Sequence, residues 1–163
     1  GLGCPAIIAS AHKDTAYVKV DCNPMSMMAT WVALEDVSEG TGELEYFVGS
    51  HRSPDYVFGS LSKWIEAAPC EHNDFLAALH ANAETYGYAR SRFLPKAGDV
   101  LIWHADLAHG GSAVTKPGLT RRSLVTHYTA ARHAPYYRRW SKFPTNECNG
   151  VEFVSSYSDV TSA

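Results

Sequence analysis

A chain of 163 residues with 45% apolar and 19% charged residues has the composition of one domain, long enough to bury roughly two-thirds of its unfolded surface. A formal charge of −3, a pI near 6.2 and the lack of any basic block argue against an electrostatic nucleic-acid footprint. With no apolar stretch of membrane-spanning length and no basic-plus-apolar leader, the expectation is a cytoplasmic protein that uses neither nucleic acid nor membrane as a partner. Cys4, Cys22, Cys70 and Cys148 are widely spaced without a CxxC, a pattern of free thiols in a reducing compartment that leaves two disulfides open.

From His12 the chain alternates. His12, Asp14, Ala16, Val18 and Val20 share one face of an expected strand, with Lys13, Thr15, Tyr17, Lys19 and Asp21 on the other. This puts an imidazole and a carboxylate one pleat apart, where they could share a cation; a polar strand start would look the same. After the Asn23-Pro24 loop signal, Met25, Met27 and Met28 read as packing material. Residues 26–36 read as a buried strand and 43–51 as the next. The glycine-bearing turn 37–42 between them suggests an antiparallel hairpin.

His51 and Arg52 end that second strand, as a pocket rim or as loop braces. Residues 52–70, punctuated by Pro54, Gly59 and Pro69, read as irregular, with Tyr56, Val57 and Phe58 packing on the body. Residues 71–86 carry the main helix. Phe75, Leu76, Leu79, Ala83 and Tyr86 recur at helical spacing, Glu71 and Asp74 favour its start, and Gly87 is placed to end it. His72 and His80 are expected to be partly exposed helix residues.

Residues 98–111, GDVLIWHADLAHGG, hold a turn, a short apolar strand and two histidines, His104 and His109. Residues 110–120 read as a loop and 121–130 as a strand. On that strand Arg121, Ser123, Val125 and His127 share one face, and Arg122, Leu124, Thr126 and Tyr128 the other. In the tail, residues 151–157 read as a short strand or packed extension.

HKD at 12–14, WVALEDVSEGTGELEYFVGSHR at 31–52, GDVLIWHADLAHGGS at 98–112 and TRRSLVTHY at 120–128 occur in an order and spacing far more specific than HxD alone. Together they resemble the phytanoyl-CoA dioxygenase-like branch of the iron(II)- and 2-oxoglutarate-dependent oxygenases. The resemblance implies a mainly β fold, a double-stranded β-helix (jelly roll, cupin-like) with one main helix near 71–86. It implies Fe(II) held by His12, Asp14 and His109, with His109 rather than His104 as the distal histidine. It implies 2-oxoglutarate as co-substrate, with Arg121 on its far carboxylate. Two histidines and one carboxylate are a facial set suited to non-haem Fe(II).

The implied activity is hydroxylation of an unactivated C–H of a small organic molecule, with dioxygen consumed. Related halogenases replace the ligand carboxylate, so Asp14 favours hydroxylation. Tyr17, Trp31, Tyr46 and His51 are candidates for the substrate pocket. Relatives carry a longer N-terminal region, so residues 1–163 are expected to form one double-stranded β-helix domain truncated at its N-terminus. A second copy could cover the open edge in a homodimer. The alternatives are a metal-binding cupin-like isomerase or epimerase, and a non-catalytic ligand-binding barrel.

Overall fold

Alternation of small and large residues decides the first strand, β1 (Met27–Ala33): Met27, Ala29, Trp31 and Ala33 are buried, while Met28 is exposed and Thr30 and Val32 are half-buried. The computed structural model describes residues 11–18, 26–130, 132–133 and 145–154. Within them follow β2 (Leu44–Phe47), the helix α1 (His72–Thr85), β3 (Arg90–Phe93), β4 (Val100–His104), β5 (His109–Gly111), β6 (Ser123–Thr129), β7 (Thr145–Cys148) and β8 (Val151–Val154). Mainly β with one main helix, this is the expected class.

Two antiparallel three-stranded sheets carry the fold, with strand orders β4-β1-β6 and β3-β2-β5. The sheets meet through Ala29, Trp31, Ala33, Leu44, Trp103 and Leu107, with Tyr46, Phe93 and Leu101 against them. Trp31 of β1 sets its ring edge-on to Phe93 of β3, centroids 5.7 Å apart. A second core lies where α1 packs on the other face of β2: Phe75, Leu79 and Ala83 meet Phe47, Phe58, Ala11 and Ala108. Pro69 and Glu71 lead into α1 through a short 3-10 turn, and Gly87, at φ 66°, takes up the left-handed conformation just beyond its end. Tyr86 does not join the buried stripe; it is exposed and stacks on Tyr88.

The expected hairpin between residues 26–36 and 43–51 does not form. β1 pairs with β4 and β6, whereas β2 pairs with β3 and β5, so residues 37–42 turn a corner from one sheet to the other. β3 and β5 flank β2, and β5 takes in Gly110 and Gly111 from the start of the expected loop 110–120. The strand expected from His12 is also replaced. His12 makes a single antiparallel bridge to His109, and Asp14–Ala16 then winds into a 3-10 turn. Residues 19–25 lie outside the described residues. In the tail, β7 and β8 form a hairpin, and the strand read at 151–157 is described as far as Val154. Cys70 and Cys148 are free and exposed; Cys4 and Cys22 lie outside the described residues.

Candidate metal centre

The site is assembled at the seam between the two sheets. Backbone bonds in both directions tie His12 to His109, N to O at 2.8 Å and 2.9 Å, so the two imidazoles arrive side by side with ring centroids 4.4 Å apart. The 3-10 turn that begins at Asp14 then swings the carboxylate back under them. The Nε2 atoms of His12 and His109 lie 3.9 Å and 3.6 Å from the same oxygen, Asp14 Oδ1.

Donor atoms of His12, Asp14 and His109 all lie within 4.8 Å of one another. An ion with bonds of about 2.1 Å holds neighbouring donors roughly 3 Å apart, so small side-chain rotations suffice to close this set. Two neutral nitrogens and one carboxylate oxygen suit a borderline divalent metal. The residues therefore fit the group that the sequence resemblance implies.

The protonation chemistry agrees. His109 Nδ1 lies 2.8 Å from the Leu107 carbonyl, which can only accept, so Nδ1 carries the proton and the Nε2 lone pair faces Asp14. Burial, the largest influence, and the neighbouring imidazoles hold His109 below the usual imidazole pKa against the pull of Asp14, keeping it in the neutral form a metal binds. At Asp14 burial pushes the carboxyl up. The interactions with His127, His109 and the Trp103 indole N–H outweigh it, leaving the carboxyl below its ordinary range.

His104, at the other end of the same turn, does not converge on this cluster. Its side chain is 46% exposed, and its Nδ1 accepts the Asp106 backbone N–H at 3.1 Å. Arg121, on the chain just before β6, lays its guanidinium over the Trp31 ring, 5.6 Å from the centroid. No carboxylate among the described residues pairs with it. Trp31 and Val125 are directly paired across β1 and β6, so the arginine head folds back along the sheet toward the rung that carries His127.

Of the pocket candidates, Tyr17 sets its ring edge-on to His12, centroids 5.7 Å apart, and its hydroxyl lies 2.9 Å from His72 Nε2. Trp31 is buried under Arg121. Tyr46 stands directly across from His109 in the β2–β5 register. His51 is elsewhere: it sits on a 3-10 turn with its ring 5.9 Å from His104. Sequence reading missed His127, whose Nε2 lies 3.3 Å from Asp14 Oδ2, and Trp103, whose indole N–H donates to the same oxygen at 3.0 Å.

A jelly-roll pairing of two antiparallel sheets with a His-Asp-His cluster at their seam defines a class before any comparison is made. The profile of the phytanoyl-CoA dioxygenase (PhyH) family matches residues 3–123, and the chain belongs to that family. Several solved structures share its fold. One is a non-haem α-ketoglutarate-dependent carbocyclase, SnoK, from nogalamycin biosynthesis, with TM-score 0.58 and 24% identity over 75% of this chain and 44% of that one. Another is the α-ketoglutarate-dependent epimerase SnoN of the same biosynthesis, with TM-score 0.54 and 23% identity over 75% of this chain and 41% of that one. A third is AviO1 from Streptomyces viridochromogenes Tue57, with TM-score 0.52 and 21% identity over 77% of this chain and 45% of that one. The chain thus spans less than half the length of each of these structures. No curated protein matches it. Among the described residues no helix is long and apolar enough to cross a membrane.

Proposed function

We propose that the chain carries the metal- and co-substrate-binding core of an Fe(II)/2-oxoglutarate-dependent oxygenase that hydroxylates a C–H bond of a small organic molecule. The observation that carries this is the convergence of the His12 and His109 Nε2 atoms on one oxygen of Asp14. Fe(II), 2-oxoglutarate and dioxygen together supply a two-electron oxidation of the substrate C–H, with the co-substrate leaving as succinate and carbon dioxide. His12, Asp14 and His109 would hold the metal on one side and leave its other side open to ligands.

Arg121 supplies the anchor for the co-substrate. Its guanidinium presents a rigid fork to a carboxylate, and Trp31 beneath holds the fork in place without neutralising it. Tyr46 and Tyr17 stand beside His109 and His12, where they would border the substrate; His51, braced near His104, is set back from that border.

Anaerobic titration with Fe(II) and then 2-oxoglutarate tests the reading. A metal-to-ligand charge-transfer band that appears only with both is the expected result. Metal binding without that band would favour a cupin-like isomerase or epimerase instead. Failure to bind metal would leave a ligand-binding barrel. Analysis of products under dioxygen then separates hydroxylation from the ring closure and epimerisation named for SnoK and SnoN.

A further inference from the structure

We propose that Trp103 and His127 are positioning residues that reserve Asp14 Oδ2 for the protein, so that Asp14 offers a cation one oxygen, Oδ1. The proposal rests on the metal centre described above and concerns how its carboxylate is oriented. The two oxygens of Asp14 have separate surroundings. Oδ1 faces the Nε2 atoms of His12 and His109 at 3.9 Å and 3.6 Å, whereas Oδ2 receives the indole N–H of Trp103 at 3.0 Å and faces His127 Nε2 at 3.3 Å. An indole nitrogen can only donate, so Oδ2 is fixed as the acceptor. With its proton on Nε2, His127 donates to the same atom.

The sheet builds this arrangement. Ala29 in the central strand pairs with Trp103 on β4 and with His127 on β6, so the three side chains stand in one row on the inward face. Alanine in the middle, with no exposed surface, leaves a notch between two large rings, and the Asp14 carboxylate meets both of them there. Trp103 is buried and stands 4.9 Å, centroid to centroid, from the His109 ring, so it also fixes the wall behind that ligand. A carboxylate free to turn could offer both oxygens and occupy an extra position on the metal. Held by two donors at Oδ2, it occupies one and leaves the remaining positions for small ligands. Hydrogen-bonding partners of this kind typically change metal affinity 10–100-fold.

Cobalt(II) is the probe, read by its dissociation constant and its ligand-field absorption, with far-UV circular dichroism confirming the fold of each variant. Trp103→Phe keeps the aromatic bulk and removes the donor; His127→Ala removes the other on a side chain one-third exposed, where truncation is tolerated. Each is expected to weaken cobalt binding about 10–100-fold and to change the ligand-field bands. His127→Gln, whose amide nitrogen reaches close to the Nε2 position, should restore most of the affinity and the wild-type bands. Wild-type affinity and bands in folded Trp103→Phe and His127→Ala would overturn the inference while leaving the metal centre standing. Wild-type protein that gives no cobalt spectrum dependent on His109 would overturn the metal centre and the inference together.

Discussion

His104 and His109 close the two ends of one turn, yet the structure gives them opposite employments. The His109 side chain is 6% exposed, with one ring nitrogen tied to the Leu107 carbonyl and the other aimed at Asp14. His104 is 46% exposed, and its ring nitrogen accepts a backbone N–H from within the turn. The difference arises from pairing. His109 opens β5, exchanges backbone hydrogen bonds with His12 on one side and stands across from Tyr46 in the β2–β5 register on the other, whereas His104 ends β4, where its neighbour on β1 is the exposed Met28. One imidazole is held against a carboxylate by the backbone bridge to His12, and a similar imidazole a few residues away becomes a brace.

The sharpest break of that comparison is the largest effect. His109→Ala is expected to weaken Fe(II) or Co(II) binding by at least about 100-fold, beyond the 10–100-fold typical of outer partners, because a ligand itself is lost. Isothermal titration under anaerobic conditions measures it. Binding unchanged in folded His109→Ala would mean that the seam holds no metal.

Arg121 and Arg122 repeat the contrast in consecutive residues. Arg121 faces inward over Trp31, while Arg122 is exposed and is engaged through its backbone N–H to Glu35 at 2.7 Å. Arg121→Lys keeps the charge and loses the fork, so 2-oxoglutarate should bind more weakly by about 1–3 kcal/mol while Fe(II) binding persists. Arg122→Lys should change little. Co-substrate titration at fixed iron separates them, and equal affinity in wild type and Arg121→Lys would remove Arg121 from the site.

How much of this was legible in the chain follows the range of the interaction. The main helix could be read because Phe75, Leu79 and Ala83 repeat locally, and β1 because Ala29, Trp31 and Ala33 alternate with residues of the other face. The corner at 37–42 was misread as a hairpin because a short glycine-bearing turn looks alike in both; the choice belongs to β4 and β6, which arrive much later in the chain. HxD was legible as a pair, though not as geometry, since a 3-10 turn rather than strand parity brings Asp14 under His12. His127 and Trp103 could not be found locally at all. They share a rung only through Ala29, and nothing in either stretch announces that register. The turn between β7 and β8 is the reverse case: Asn149-Gly150, at φ 52° and 76°, is a two-residue hairpin signal carried by the local residues alone.

Asp106, inside the same turn, sharpens the comparison from the side of stability. Its carboxylate accepts from Thr15 at 2.7 Å and from Lys63 at 3.0 Å and 3.1 Å, clasping the turn to the HxD segment and to the loop beyond β2. Burial pushes this carboxyl up, but the Thr15 and Lys63 hydrogen bonds and the nearby lysines outweigh it, so its folded pKa lies below the ordinary value. A depressed folded pKa stabilises at and above the ordinary carboxylate range and is lost as pH falls through the folded value. Asp106→Asn should therefore cost about 1–3 kcal/mol at neutral pH. Partial exposure of Lys63 keeps the ion-pair share modest. The difference from wild type should shrink as the pH is lowered, which denaturant melts across a pH series will show; a constant gap would assign the loss to packing.

His104→Ala is the smallest change and the one that tests the assignment of roles. The substitution removes the acceptor of the Asp106 backbone N–H, but solvent reaches nearly half of the side chain and can replace that bond. A cost of about 0.5–1.5 kcal/mol is the upper expectation for one such hydrogen bond, and water access places the outcome toward its lower end. Metal affinity should stay near the wild-type value, because the His104 side chain is braced on Asp106 and the His51 ring and reaches the Asp14 turn at one remove, through Asp106 and Thr15. Loss of metal in His104→Ala together with retention in His109→Ala would exchange the two roles, and with them the proposed alignment of the His12 bridge. Retention in the first and loss in the second requires that the strand pairing at His12, rather than the histidine content of the turn, selects the ligand.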